Sequence, residues 1–177
     1  AVRGHFAQAE TAFKEALRLY VLSPEANFRL ADLYLRSNRF QEALQVMAQF
    51  AQMDPANTRA FDFMREIENR ISLVNRRQEL EGILAKGATD INQAIELADI
   101  YRKMGILEAF TALCQNILGT REVPPQAFLR IAGMAAEERR YELMAAALEK
   151  YLERVPADAK AWLDLAAVRA MLSKNEE

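Results

Sequence analysis

One cysteine and one histidine in 177 residues are too few for a disulfide framework or for the usual set of zinc ligands. Glycine (6) and proline (5) are scarce, so the chain has few places to turn sharply. No apolar run exceeds a few residues, well short of the ~20 that cross a bilayer. Residues 1–12 also lack the basic start and apolar core of a signal peptide. A charge excess is missing as well. There are 23 Lys and Arg against 25 Asp and Glu, a net charge of −2, with both signs interspersed. This balance gives no electrostatic reason to expect nucleic acid or an acidic membrane surface. Disorder and collagen-like structure are excluded by the 51% hydrophobic and 27% charged content. Val, Ile and Thr are far outnumbered by Ala and Leu, which favours helices over sheets. The composition predicts an all-α segment that does not insert into a membrane, cytoplasmic or the soluble part of a membrane-associated protein.

The few prolines punctuate helical patterns. In Ser23-Pro24-Glu25 a capping hydroxyl precedes a proline at the first helical position and an acid in the first turn. Counting from Pro24 gives a self-similar unit that starts again at Thr58, Ile91, Pro125 and Ala159, at steps close to 34. Periods of this length mark stacked supersecondary units. PEANFRLADLY from Pro24, INQAIELADIY from Ile91 and PQAFLRIAGMA from Pro125 share an apolar-small pair, Leu30-Ala31, Leu97-Ala98 and Ile131-Ala132. The second half of each unit draws one apolar stripe at helical spacing: Phe40, Ala43, Met47 and Phe50, then Leu107, Phe110, Cys114 and Ile117, then Tyr141, Met144, Leu148 and Tyr151. The same stripe opens the chain at Gly4, Phe6, Ala9, Phe13 and Ala16.

A helix-turn-helix unit of this period, with a large residue, an apolar-small pair, an aromatic and a closing proline, resembles the tetratricopeptide repeat (TPR) family over nearly the whole chain. The array divides into residues 1–23 (the second half of a truncated unit), 24–57, 58–90, 91–124, 125–158 and a terminal half unit, 159–177. The unit 58–90 is degenerate. Arg65 and Arg76 take the positions of small residues that let paired helices approach, and a guanidinium cannot serve in a dry contact. Two outcomes stay open, a hairpin with a tight turn near Ile71 to Leu73 or one long helix from Thr58 to about Ala85.

The resemblance implies a right-handed superhelix of antiparallel hairpins, about ten helices, whose first helices line a concave face. By position, Phe28, Asp32, Leu35 and Arg36 line it in the unit 24–57, and Arg59, Asp62, Glu66 and Arg70 in the next. Asp99, Arg102 and Lys103 follow, then Leu129, Gly133 and Ala136, and finally Leu163 and Ala167. Arg36, Arg70 and Lys103 are equivalent and suggest a cationic ladder, yet Asp32, Glu66 and Asp99 lie four residues before them. Pairing across one turn, worth about 0.2–0.5 kcal/mol, neutralises such a ladder. Phe28, Asp32, Asp62, Glu66, Ile95 and Asp99 stand where carboxylate-binding members of the family carry lysine and asparagine, so a carboxylate clamp is not expected. The small and apolar set Leu129, Gly133, Ala136, Leu163 and Ala167 reads as a shallow channel for an apolar side chain or helix.

Catalytic chemistry has little material. His5 reads as a solvated turn residue and Cys114 as core, in the slot of Met47 and Leu148. Phosphate-cradling glycine loops, paired metal-binding histidines and serine elbows are missing. No catalytic residue, metal or cofactor is expected. The expected function is a non-catalytic scaffold that holds a peptide or partner protein in its concave groove and binds no nucleic acid. The alternative is a spacer or oligomerisation module of a larger bacterial protein, such as a membrane-bound glycosyltransferase-like enzyme. The half units at both ends lead us to expect a fragment of a longer chain, or a homodimer through an exposed terminal helix.

Overall fold

The computed structural model describes residues 2–87 and 90–174, with side chains described for 5–87 and 90–173. Of the sequence readings, Gly4, residues 88 and 89 of the unit 58–90 and the outermost residues of the two half units lie outside the described side chains. Among the described residues there are nine helices and no strand: α1 (Val2–Leu19), α2 (Pro24–Arg36), α3 (Phe40–Met53), α4 (Thr58–Ala85), α5 (Ile91–Lys103), α6 (Leu107–Leu118), α7 (Pro125–Glu137), α8 (Tyr141–Arg154) and α9 (Ala159–Lys174). Five of them begin on the residues at which the sequence period begins.

Those starts share a device. A short polar side chain caps the first turn, which otherwise leaves backbone N–H groups unsatisfied. The Ala26 N–H donates to Ser23 Oγ at 3.3 Å, Ala60 to Asn57 Oδ1 at 3.3 Å, Asn92 to Asp90 Oδ1 at 3.3 Å and Ala161 to Asp158 Oδ1 at 3.0 Å. At α7, Pro125 supplies the fixed φ instead.

Inside the hairpins the turns are equally uniform. Asn38, Gly105 and Arg139 take left-handed backbone at φ 59°, 71° and 54°. The next N–H in each, of Arg39, Ile106 and Arg140, reaches back to the carbonyl of Tyr34, Tyr101 and Ala135 at 2.8 Å. That bond from beyond the left-handed residue ends a helix by satisfying one of its last carbonyls. At the corresponding place in the degenerate unit, near Ile71 and Ser72, α4 runs on. A β-branched residue in left-handed backbone is strongly disfavoured, and neither residue offers the side chain of an asparagine or the freedom of a glycine. Of the two outcomes left open the long helix is therefore the one formed, and the nine helices among the described residues accord with the expected ten or so.

The chain divides into two compact units, Ala1–Asn75 and Arg76–Glu177. In the first, Leu30, Ala31, Tyr34, Ala43, Met47, Phe50, Ala60 and Ile67 form the buried core, with Phe13 and Leu17 of α1 packed on it. Ala31 and Ala43 are fully buried, the small residues that let α2 and α3 approach closely. In the second, Ile95, Ala98, Phe110, Cys114, Phe128, Ile131, Ala135 and Leu148 are buried, and α8 packs against both α7 and α9. Arg76, which could not enter a dry helix contact, instead bonds Glu96 at 2.7 Å and Glu79 at 2.8 Å at the surface of this unit.

A polar network ties α1 to α2 and α3 in the first unit. Glu10 accepts from Arg39, from Lys14 Nζ at 2.7 Å and from Tyr34 Oη at 3.0 Å, while the Arg39 guanidinium stacks over the Tyr34 ring at 4.3 Å. The Arg39 hydrogen bond, then that of Lys14, hold the Glu10 carboxyl down to about 2, against an ordinary 4.5. A carboxyl whose value is depressed in the folded chain stabilises it above its unfolded value and loses that contribution as pH falls through the folded one. Acid titration followed by circular dichroism should thus show stability falling between pH 4.5 and about 2. A Glu10→Gln chain should be less stable at neutral pH and flatter across that window; an unchanged pH profile would contradict the network.

Candidate binding cleft

In the first unit, α2 and the opening turns of α4 enclose a cleft of about 600 Å³. Its α2 wall is Pro24, Glu25, Phe28, Arg29 and Asp32, and its α4 wall Arg59, Asp62, Phe63 and Glu66. Steps of three and four residues bring each set onto one helical face. Phe28 is the floor. Its ring meets Phe63 at 5.5 Å between centroids and the fully buried Phe50 edge-on at 6.0 Å, so the core fixes its position. The Arg59 guanidinium lies over the Phe28 ring at 4.7 Å, within the range of cation–π attraction.

The charged lining is mostly paired along its own helices. Glu25 meets Arg29 at 2.7 Å, Asp32 meets Arg36 at 2.8 Å and Asp62 meets Arg65 at 2.7 Å. These pairs are exposed, and exposed pairs are weakly held and readily exchanged. Glu66 makes no ion pair among the described residues. Four carboxylates and two guanidiniums thus line a space with an aromatic base.

Of the residues named from sequence, Phe28 and Asp32 line this cleft together with Arg59, Asp62 and Glu66. Leu35 does not belong with them. It is only 7% exposed and sits in the core, because it follows Ala31 by four residues and shares its buried face. Arg36 stands beside Asp32, and Lys103 beside Asp99 at 2.7 Å, while Arg70 is exposed and unpaired among the described residues. Two of the three rungs of the ladder are therefore neutralised. Arg102 also bonds Asp99 at 2.7 Å and reaches Glu137 and, at 3.5 Å, Glu138, which ties α5 to the end of α7. Leu129 (37% exposed) and Leu163 (71%) stand open on α7 and α9. Ala136 is half-buried, Ala167 is exposed, and a methyl group at Gly133 would meet open space.

Sequence reasoning missed Phe63 and Arg29. Both lie four residues after another residue of the same wall, Arg59 and Glu25, and that spacing was the signal available. His5 lies within α1, exposed, rather than in a turn. Cys114 is fully buried, and burial pushes its thiol up to about 12, the protonated form that does not attack electrophiles. Among the described residues no cluster of three or more His, Cys, Asp and Glu is placed to hold a metal, and no helix is long and apolar enough to cross a membrane.

Residues 2–58 match the family model described as tetratricopeptide repeat. No curated protein sequence matches the chain. Solved structures similar to it include TTC0263, a thermophilic TPR protein of Thermus thermophilus, at 18% identity and a TM-score of 0.46, covering 96% of this chain and 93% of that one. YrrB, described as a TPR protein with an unusual peptide-binding site, is similar at 15% identity and a TM-score of 0.44, covering 92% and 84%. The tetratricopeptide repeat match thus covers α1 to α3 and reaches the start of α4, and helical hairpins recur beyond it, at α5 with α6 and at α7 with α8.

Proposed function

We propose that this chain is a non-catalytic interaction module that holds a peptide or a partner protein on the exposed faces of its first helices, with the cleft between α2 and α4 as the principal contact. The fold is one of protein-interaction scaffolds. The observation that carries the reading is the cleft itself: about 600 Å³, open, with an aromatic floor held from below by Phe50 and a polar rim. That combination of apolar body and few polar groups characterises ligand sites. The protonated, buried thiol of Cys114 and the exposed position of His5 leave both without a catalytic setting.

Filling the cleft tests this. In an extract of the cells that make the protein, Glu66→Trp should abolish retention of the partner that the unaltered chain retains, without altering the circular dichroism spectrum. Leu129→Asp with Leu163→Asp should leave it. The opposite pattern would move the binding face to α7 and α9, and retention by both variants would remove the groove from the account.

A second reading, a spacer or self-associating module of a larger protein, is favoured by Trp162, Leu163 and Met171, all exposed on α9. Exposed apolar patches of this kind mark association surfaces. Light scattering that shows a strict monomer across micromolar concentrations would eliminate self-association.

A further inference from the structure

We infer that the cleft between α2 and α4 selects an arginine-bearing extended segment, the guanidinium lying on the aromatic floor and bonding the rim carboxylates. This rests on the reading of the cleft as a binding site and specifies its ligand. Three observations converge. The lining carries four carboxylates against two guanidiniums, so the concave space offers more anionic acceptors than cations, while Arg36 and Arg65 balance the charge from outside it. The arginines that pair with Asp32 and Asp62 lie outside the lining, so their carboxylates can exchange partners without moving the walls, and Glu66 holds no ion-pair partner among the described residues. Finally, the chain shows what the floor accepts. Its own Arg59 stacks on Phe28 at 4.7 Å, exposed and in no ion pair among the described residues, so it can swing away and yield the ring to an incoming guanidinium.

A planar guanidinium suits this site better than an ammonium. It stacks on an aromatic face and presents a fork of donors that a carboxylate accepts in pairs. An acidic segment would meet Asp62 and Glu66, one turn apart on α4, and be repelled. The geometry thus favours the opposite charge from a terminal carboxylate.

Labelled peptides of one apolar framework bearing arginine, glutamine or glutamate provide the probe, with fluorescence anisotropy as the readout on the full chain. The arginine peptide should bind roughly tenfold more tightly than the glutamine peptide, a difference of about 1.4 kcal/mol, and added salt should erase the advantage. The exposed double variant Asp62→Lys, Glu66→Lys should also erase it while keeping the helical spectrum and melting temperature. Equal or tighter binding of the glutamine or glutamate peptide would overturn the inference. If that binding is lost in Glu66→Trp, the cleft remains a binding site and only its charge preference falls. Binding of none of the peptides would overturn this inference alone should Glu66→Trp still abolish partner retention, and the cleft as a binding site with it should retention survive that substitution.

Discussion

Replacing Ser72 by proline should destabilise the chain by about 3 kcal/mol in urea unfolding. Ser72 is exposed, near the middle of α4, so the substitution removes no packing. It removes one backbone donor and drives the pyrrolidine ring against the carbonyl of residue 68. In a hairpin that turned at Ile71 to Leu73 the same proline would be nearly harmless, since turns accept its fixed φ. The substitution therefore separates the two forms this segment could take. Ser72→Ala serves as the control and should be neutral or slightly stabilising. A proline variant as stable as the alanine variant would contradict a continuous helix from Thr58 to Ala85.

Phe50→Ala should cost about 3–5 kcal/mol, a large share of the roughly 5–15 kcal/mol typical of a folded domain. Phe50 is fully buried among Leu30, Ala31 and Met47, and its neighbours are held by backbone hydrogen bonds that allow only partial collapse into the vacated space. The effect should reach the cleft as well, because Phe50 supports the Phe28 ring from below. Phe61 provides the comparison. It is 46% exposed on α4, and its alanine variant should stay within about 0.5 kcal/mol of the parent. Equal losses at the two positions would mean that the buried stripe is not what stabilises the first unit.

Much of this architecture is legible in the sequence because its signals are local. Caps at Ser23, Asn57, Asp90 and Asp158 act within one turn, and the stripe through Met47 and Phe50 follows helical spacing alone. The fate of residues 58–85 is not local. Arg139 closes a turn at φ 54° although arginine has no special liking for left-handed backbone, whereas Ser72 closes none. The balance there depends on what the paired helices would gain by meeting, and Arg65 and Arg76 reduce that gain. Asp62 takes up the first and Glu96 with Glu79 the second, pairings that sequence spacing showed only in part.

The binding face divides along the same line. Phe28 and Asp32 are visible from the repeat frame, and they line the cleft. Leu35 is misplaced by that frame, which assigns a groove position to a residue whose neighbour one turn earlier, Ala31, is already buried. Phe63 escapes it because the frame follows equivalent positions rather than the helical face on which Arg59 and Glu66 stand. A pairwise stack such as Phe28 on Phe63 depends on how two helices meet.

The most direct measurement is nuclear magnetic resonance of the phenylalanine rings during titration with the arginine peptide. The account predicts shifts of the Phe28 and Phe63 ring signals that saturate with the anisotropy curve, while Leu129 and Leu163 methyl signals stay fixed. Saturable shifts at Leu129 and Leu163, with the Phe28 and Phe63 rings unmoved, would contradict it.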